Sequence, residues 1–510
     1  MGYKEFEFSL PTDYTEEQLR KKISKTAGTQ EFTFSILKKS LDARKKKNIL
    51  WRIRILLRSD SFKGDAPAVP ILDIPYKKRG ERVLVTGSGP AGFFAAYVLQ
   101  KSGFNVTLIE RGLDVDRRSD GINCFEAGGV FQANANYAFG EGGAGTFSDG
   151  KLTSRTKSIK KESNFIFNSY IKAGAPPEIA YLTHPHLGTD NLKVIVRNLR
   201  YDFKSLGGEI LFDCLLTDIR TASGAVTSAE SSAGQMEFDY LFIAPGHSSF
   251  ETYRMLMRRG VRFCNKNFAV GSRVEHPQRI INLAQWGHET LPGVKAAEYR
   301  LTSQADDLHP VYTFCMCPGG TVVPATAYEG NNIVNGMSLY RRGGEYANAA
   351  CVAGVNIEQL NGRETSPLEA LDWLEALERC FFDIAPDYKA PAVSIKSFLE
   401  QKIASPLSSS SFPLGLTEYP IWEALPSSVA RAMQLGLKDF SRKIRGWDEG
   451  LIMGLESKTS APVQVLRDKT GLAEGFENLF IIGEGSGWSG GIISSAADGI
   501  RAAMRLITEK

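Results

Sequence analysis

The sequence predicts an α/β protein in which one doubly wound nucleotide-binding domain is split by a large mixed α+β insertion and preceded by a small α+β unit. Three observations predict it. A strand, glycine turn, helix and second strand follow one another from residue 81; an apolar strand and a helix close the chain at 479–508; and a proline-bearing connection separates residues 1–62 from the rest of the chain.

In chain order, residues 15–26 read as a polar helix. Glu31-Phe32-Thr33-Phe34-Ser35-Ile36 and residues 49–56 read as strands, so residues 1–76 are expected to form a small α+β domain of ferredoxin-like type. This front is basic: residues 1–80 carry 18 Lys and Arg against 10 Asp and Glu, a net +8 in a chain of net +4. Lys38, Lys39 and residues 44–47 could meet phosphate or form a solvated face. Pro67, Pro70 and Pro75 then mark a semi-rigid connection over residues 63–80.

The second domain, residues 77–250, opens with a strand at 82–86, a helix at 93–101 and a strand at 105–110, a βαβ unit. Residues 208–212 and 238–244 read as further strands of the same sheet. Residues 251–455 change character, with longer strand-like runs and a helix near 368–382; they are read as a substrate or cap domain. Residues 456–510 return to the first pattern, with a strand at 479–482 and a helix at 492–508.

Between the first strand and helix stands Gly87-Ser88-Gly89-Pro90-Ala91-Gly92. The first glycine permits the tight turn, the second lets backbone approach a pyrophosphate, and the third lets helix and strand pack closely. The helix that opens there offers unpaired N–H groups to phosphate. Glu110, 18 residues beyond Gly92 and followed by Arg111 and Gly112, stands at the end of the next strand, where a carboxylate accepts ribose hydroxyls and repels a 2′-phosphate. NAD or FAD therefore fits this site and NADP does not. Two later segments favour FAD: the apolar run ending in Ala244-Pro245-Gly246, and Leu479-Phe480-Ile481-Ile482-Gly483-Glu484, which is similar to the late flavoprotein strand ending in Gly-Asp that holds the ribityl chain.

The resemblance becomes close at Gly140-Glu141-Gly142-Gly143-Ala144-Gly145-Thr146-Phe147-Ser148-Asp149-Gly150-Lys151-Leu152, and continues at Arg273-Val274-Glu275-His276-Pro277, residues 313–320, Asn335-Gly336-Met337-Ser338, residues 483–499 and Lys39-Ser40-Leu41-Asp42-Ala43-Arg44. Together these resemble the bacterial FAD-dependent dehydrogenases, also labelled NAD(FAD)-utilising dehydrogenases, over nearly the whole chain. The resemblance implies a glutathione-reductase-type (Rossmann-like) FAD-binding domain and an oxidoreductase, and it supplies no substrate.

The loop with Gly142, Gly143, Ala144 and Gly145 allows backbone to pass close to an extended cofactor, with Thr146 and Asp149 able to pair with its polar edge and Leu152 closing the motif. Gly490, Gly491 and Ile492 open the last helix, whose positive end is expected to face the N1 and C2-carbonyl edge of the isoalloxazine. No histidine stands in the 140–152 loop, so the FAD is expected to be non-covalent. Without a second strand-linked GxGxxG, a nicotinamide donor, NADH or NADPH, would dock transiently. Glu275 and His276 are either an acid–base pair beside the flavin or a structural hydrogen-bonded pair, and they are the catalytic candidates.

His184-Pro185-His186 and Cys315-Met316-Cys317 lack matching pairs at zinc spacings, so no metal is expected and the thiols read as structural. Seven scattered cysteines, a front without signal-peptide character and the absence of an apolar run near roughly 18 residues lead to the expectation of a cytoplasmic protein with no membrane partner. The expected activity is hydride transfer between FAD N5 and a small organic substrate. Two other readings stand beside it: a tRNA-modifying flavoprotein gripping RNA with its basic front, which lacks the aromatic and basic interleaving of an RNA surface, and a non-catalytic regulatory flavoprotein. Oligomeric state is left open.

Overall fold

The computed structural model describes residues 2–304, 309–403 and 406–510. The chain begins with strand β1 (Gly2–Pro11), helix α1 (Glu16–Ala27), and strands β2 (Thr33–Asp42) and β3 (Leu50–Ser59). β3 lies between the other two and antiparallel to both. α1 starts where Thr15 and Gln18 form a reciprocal capping box and stops at Gly28, whose φ of 70° suits glycine. Leu19 and Ile23, one turn apart, bury its inner face against Phe8, Ile53, Ile55 and Leu57.

A complete ferredoxin-like unit has four strands and two helices; this one has three strands and one helix, because the chain leaves β3 for the proline-bearing segment, which forms no helix or strand. β1 has no counterpart among the strands expected from the sequence. Part of the basic character is internally paired. Arg52 and Arg54 bond Glu7 and Glu5 across the sheet, Arg44 bonds Asp42, and the Lys39 ammonium lies 4.8 Å and 4.6 Å from the Tyr14 and Trp51 rings. The edge of β2 is not left open: Lys39 N–H donates to the Tyr181 carbonyl at 2.8 Å, and Thr183 N–H donates to the Lys39 carbonyl at 3.0 Å.

Strand β4 (Arg82–Thr86), helix α2 (Pro90–Lys101), strand β5 (Asn105–Ile109) and strand β6 (Glu209–Leu211) begin a five-stranded parallel sheet. Its order is Leu479–Ile481, Tyr240–Ile243, β4, β5, β6, so a strand from the end of the chain completes it. The final helix, Ile492–Glu509, packs on α2 so closely that a Cβ on Gly499 would lie 2.0 Å from the Ala91 carbonyl oxygen. An antiparallel meander over Leu216–Ala222, Ala225–Ser231 and Gly234–Met236 interrupts the βα alternation.

Between Tyr240–Ile243 and Leu479–Ile481 the chain builds a seven-stranded, largely antiparallel sheet. Its central strand, Phe268–Pro277, lies between Tyr346–Val355 and Leu451–Glu456 and is buried along both faces. Helices Pro367–Ile384 and Ser427–Lys443 contribute Leu371, Leu374, Met433 and Phe440 to the large core against it. Among the described residues, no helix is long and apolar enough to cross a membrane.

Candidate cofactor-binding cleft

At the carboxyl ends of β4, β5 and Tyr240–Ile243 the sheet opens into a cleft of about 1040 Å³. Gly87, Gly89, Pro90 and Ala91 line it. A Cβ on Gly87, whose φ is 92°, would sit 2.2 Å from the Ala244 carbonyl oxygen, and one on Gly92 would sit 1.9 Å from that of Gly87. A Cβ on Gly89 would meet only the Gly143 Cα, at 3.7 Å. The outer glycines thus close the turn, while the middle one leaves space. α2 begins at Gly89 with no side-chain cap, so its first N–H groups have no partner from a capping residue where the helix meets the cleft.

Ser88, Gly92 and Gly112 act one step behind this surface. Ser88 donates through N–H and Oγ, both at 2.8 Å, to Oε2 of Glu110, whose Oε1 accepts from Gly112 N–H at 2.9 Å and Gly140 N–H at 3.0 Å. Glu110 lines the cleft and ties three loops together while only 4% exposed. Gly112 allows that approach, since its Cβ would lie 2.5 Å from the Gly140 Cα. Arg111 also lines the cleft; it stacks 3.7 Å over the Phe139 ring centroid and pairs with Glu251.

Gly143, Ala144 and Gly145 form the facing wall. Arg118, fully buried, shapes it by donating to the carbonyls of Asn136, Tyr137, Glu141 and Gly143 at 2.8–3.0 Å. Burial pushes the Arg118 guanidinium down to about 10, against the pull of Glu110 and Glu141, which leaves it charged near neutral pH. No sequence signal marks this role, because the loop lies outside Arg118's own helix, Val115–Glu126.

The rest of the glycine-rich motif departs from expectation. Gly142 and Thr146 line a second, narrow pocket beside the first, and Thr146 Oγ1 bonds the Glu141 carbonyl at 3.1 Å. Asp149 faces the inserted domain, where Ser338 Oγ at 2.9 Å and Arg342 hold it. Burial alone would raise the Asp149 carboxyl, but Arg342 and Lys151 outweigh it and hold it below the usual carboxylate range. Leu152 is a buried core residue whose N–H bonds the Pro185 carbonyl.

On the other side of β4, Ala244, Pro245 and Gly246 line the cleft, as do Gly483, Glu484, Gly491 and Ile492. Gly483 N–H is fixed by Asp498 Oδ2 at 2.8 Å, and Arg467 holds that carboxylate. Gly490 is set back; a Cβ there would lie 3.7 Å from Glu484 Oε1. The final helix starts at Gly491, φ 81°, again without a side-chain cap. The sequence reading missed His247, which lines the cleft with Nδ1 3.5 Å from Glu484 Oε2. Its place directly after Ala244-Pro245-Gly246 was the available signal.

Glu275 and His276 do not belong to this cleft, which corrects their assignment as catalytic candidates. The central strand that carries them is covered on both faces, so neither neighbour points to open space. Glu275 accepts from Ser411 N–H at 3.1 Å and from its hydroxyl, with burial raising its carboxyl. His276 Nε2 meets the Trp447 carbonyl at 2.8 Å and its ring packs 4.3 Å from that indole.

A model described as FAD-dependent protein, C-terminal domain-like, matches residues 267–459, and a domain of unknown function matches residues 3–57. An uncharacterised protein of Clostridium beijerinckii is 38% identical over 512 residues, covering 96% of this chain and 95% of its own. Among solved structures, a flavoprotein/dehydrogenase from Cytophaga hutchinsonii aligns over 84% of this chain and 78% of its own at 11% identity and a TM-score of 0.39. L-proline dehydrogenase from P. horikoshii aligns over 86% and 95% at 11% identity and a TM-score of 0.37; likeness at that level does not bear on this chain's chemistry. At 38% identity across nearly all of both chains, the protein belongs to the same family as its Clostridium beijerinckii relative.

Proposed function

We propose that the cleft holds one non-covalent FAD and that the protein is an FAD-dependent oxidoreductase acting on a small organic substrate. The observation that carries this reading is the convergence of two helix N-termini without side-chain caps, those of α2 and Ile492–Glu509, on a single cleft with Glu110 beyond one of them. Such ends favour negative charge, and here they stand where a pyrophosphate and the electron-rich edge of a flavin would each find N–H donors. Gly87, Gly89, Pro90 and Ala91 would hold the pyrophosphate, Glu110 the adenosine ribose, and Gly483 with Glu484 the ribityl chain. Gly143 to Gly145 would close the opposite side.

Bound FAD would supply hydride exchange at N5. The chain's contribution is to orient the cofactor, exclude water between the sheet and the inserted domain, and present fixed charge. NADH or NADPH, if either is the donor, would approach this same cleft transiently. Anaerobic mixing of the purified protein with each nicotinamide, then with panels of small amines and hydroxy acids, tests the reading. Bleaching of the flavin absorbance by at least one compound is expected; a flavin inert to every reductant except dithionite would contradict an oxidoreductase.

A further inference from the structure

His247 and Glu484 occupy one end of the cleft, and the strand order says which end. Glu110 ends β5 on one side of β4, whereas His247 follows Tyr240–Ile243 and Glu484 follows Leu479–Ile481 on the other. A dinucleotide with its pyrophosphate over β4 and its ribose at Glu110 has its flavin half on the side of His247. This inference rests on the FAD reading and deepens it.

Among the described residues, His247 is the only histidine that lines the cleft. His186, His276 and His309 each place a ring nitrogen on a backbone carbonyl, at 3.1, 2.8 and 2.8 Å, as structural histidines do. His247 instead has a carboxylate partner, Glu484, and the two side chains are 12% and 25% exposed, so both are within reach of a ligand.

The charges around the pair balance. From the inserted domain, Glu456 reaches His247 electrostatically and is itself gripped by Arg273 Nη1 at 2.6 Å. Lys266, whose Nζ donates to the Gly487 carbonyl at 2.5 Å, acts on Glu484. The Tyr253 phenol, which also feels Glu484, donates to the Gly246 carbonyl at 3.1 Å. Two carboxylates, Glu484 and Glu456, thus stand against two cations, Lys266 and Arg273, around His247.

We propose that His247, oriented by Glu484, is the residue that takes up a proton when the flavin is reduced. Bound FAD would accept a hydride, two electrons and one proton, from a two-electron donor of the nicotinamide class, and one negative charge would be added at this end of the cleft. His247 takes one further proton from water, and its imidazolium offsets that charge across the cleft. Two protons then enter for every two electrons, one on the flavin and one on the imidazole.

The test is the midpoint potential of the FAD-bound protein between pH 6 and 8, by dye equilibration with dithionite as reductant, together with FAD affinity by fluorescence quenching. Wild type is expected to take up two protons per two electrons, and His247→Gln one. At pH 7 the preference for reduced over oxidised FAD is expected to fall about tenfold in the variant, a shift of about 30 mV. Glu484→Gln keeps the imidazole but removes the carboxylate that orients it, and is expected to lower proton uptake toward that of His247→Gln. If His247→Gln does not retain FAD, Glu484→Gln carries the decision. Variants that bind FAD and take up protons as wild type does overturn the assignment and leave the cofactor reading standing, whereas wild-type protein that binds no FAD overturns both.

Discussion

Arg342 grips Asp149 through two parallel bonds, Nε to Oδ1 at 3.0 Å and Nη2 to Oδ2 at 2.5 Å, with 6% and 2% of the two side chains exposed. The pair fastens the glycine-rich wall of the cleft to the inserted domain. Arg342→Met would leave the Asp149 charge buried and is expected to cost about 3–5 kcal/mol in urea unfolding, with the double variant Asp149→Asn/Arg342→Met recovering part of it. Because the folded carboxyl is held low, the pair's contribution is present above the unfolded value of about 3.9 and is lost as pH falls through the lower folded value. The gap between wild type and Asp149→Asn should therefore close in acid.

The two glycines at the start of α2 should respond differently to an added methyl group. Gly92→Ala drives a Cβ to 1.9 Å from the Gly87 carbonyl oxygen, so the expected result is a fold destabilised by about 1–3 kcal/mol or more, read as a lowered melting temperature. Gly89→Ala meets nothing closer than 3.7 Å and should fold normally, yet its methyl occupies the space assigned to the pyrophosphate. Normal melting of the Gly89→Ala apoprotein with FAD affinity lowered at least tenfold is expected; unchanged affinity would remove Gly89 from the pyrophosphate site.

His276 should matter to stability and not to chemistry. Burial pushes its imidazole down to about 4, opposed by the Trp447 carbonyl and Asp448. The unfolded chain binds this proton from about pH 6.5 downward and the folded chain does not, so stability is fully present above pH 6.5 and falls by roughly 3 kcal/mol toward pH 4. His186, also pushed to about 4, first by burial and then by Arg342, adds a comparable part. His276→Gln should lower stability at pH 7, roughly halve the acid-induced loss, and leave the turnover per bound FAD unchanged. A tenfold fall in turnover would return His276 to the chemistry.

The βαβ unit, the Gly87 to Gly92 turn, Glu110 and the closing strand and helix were legible because their signals are local: a backbone turn needs glycine where it bends, and a helix shows its period within a few turns. The long-range relationships were not. Arg118 acts on residues 136–143, Asp149 answers to Arg342, and Glu275 and His276 lose access to the cleft because Ser411 and Trp447, more than a hundred residues further along the chain, cover them. Polar side chains on a strand read as available chemistry until both of its faces are known to be covered. His247 was overlooked for the opposite reason: its carboxylate partner lies 237 residues further along the chain.

The measurement that bears most directly on the central claim is the cofactor content of the purified protein. The account predicts a yellow protein with close to one FAD per chain, released intact by heat or acid, and Glu110→Ala weakening rebinding by about 1–3 kcal/mol through the lost carboxylate hydrogen bonds. A colourless protein that does not take up added FAD, or one whose released flavin is FMN, would contradict it.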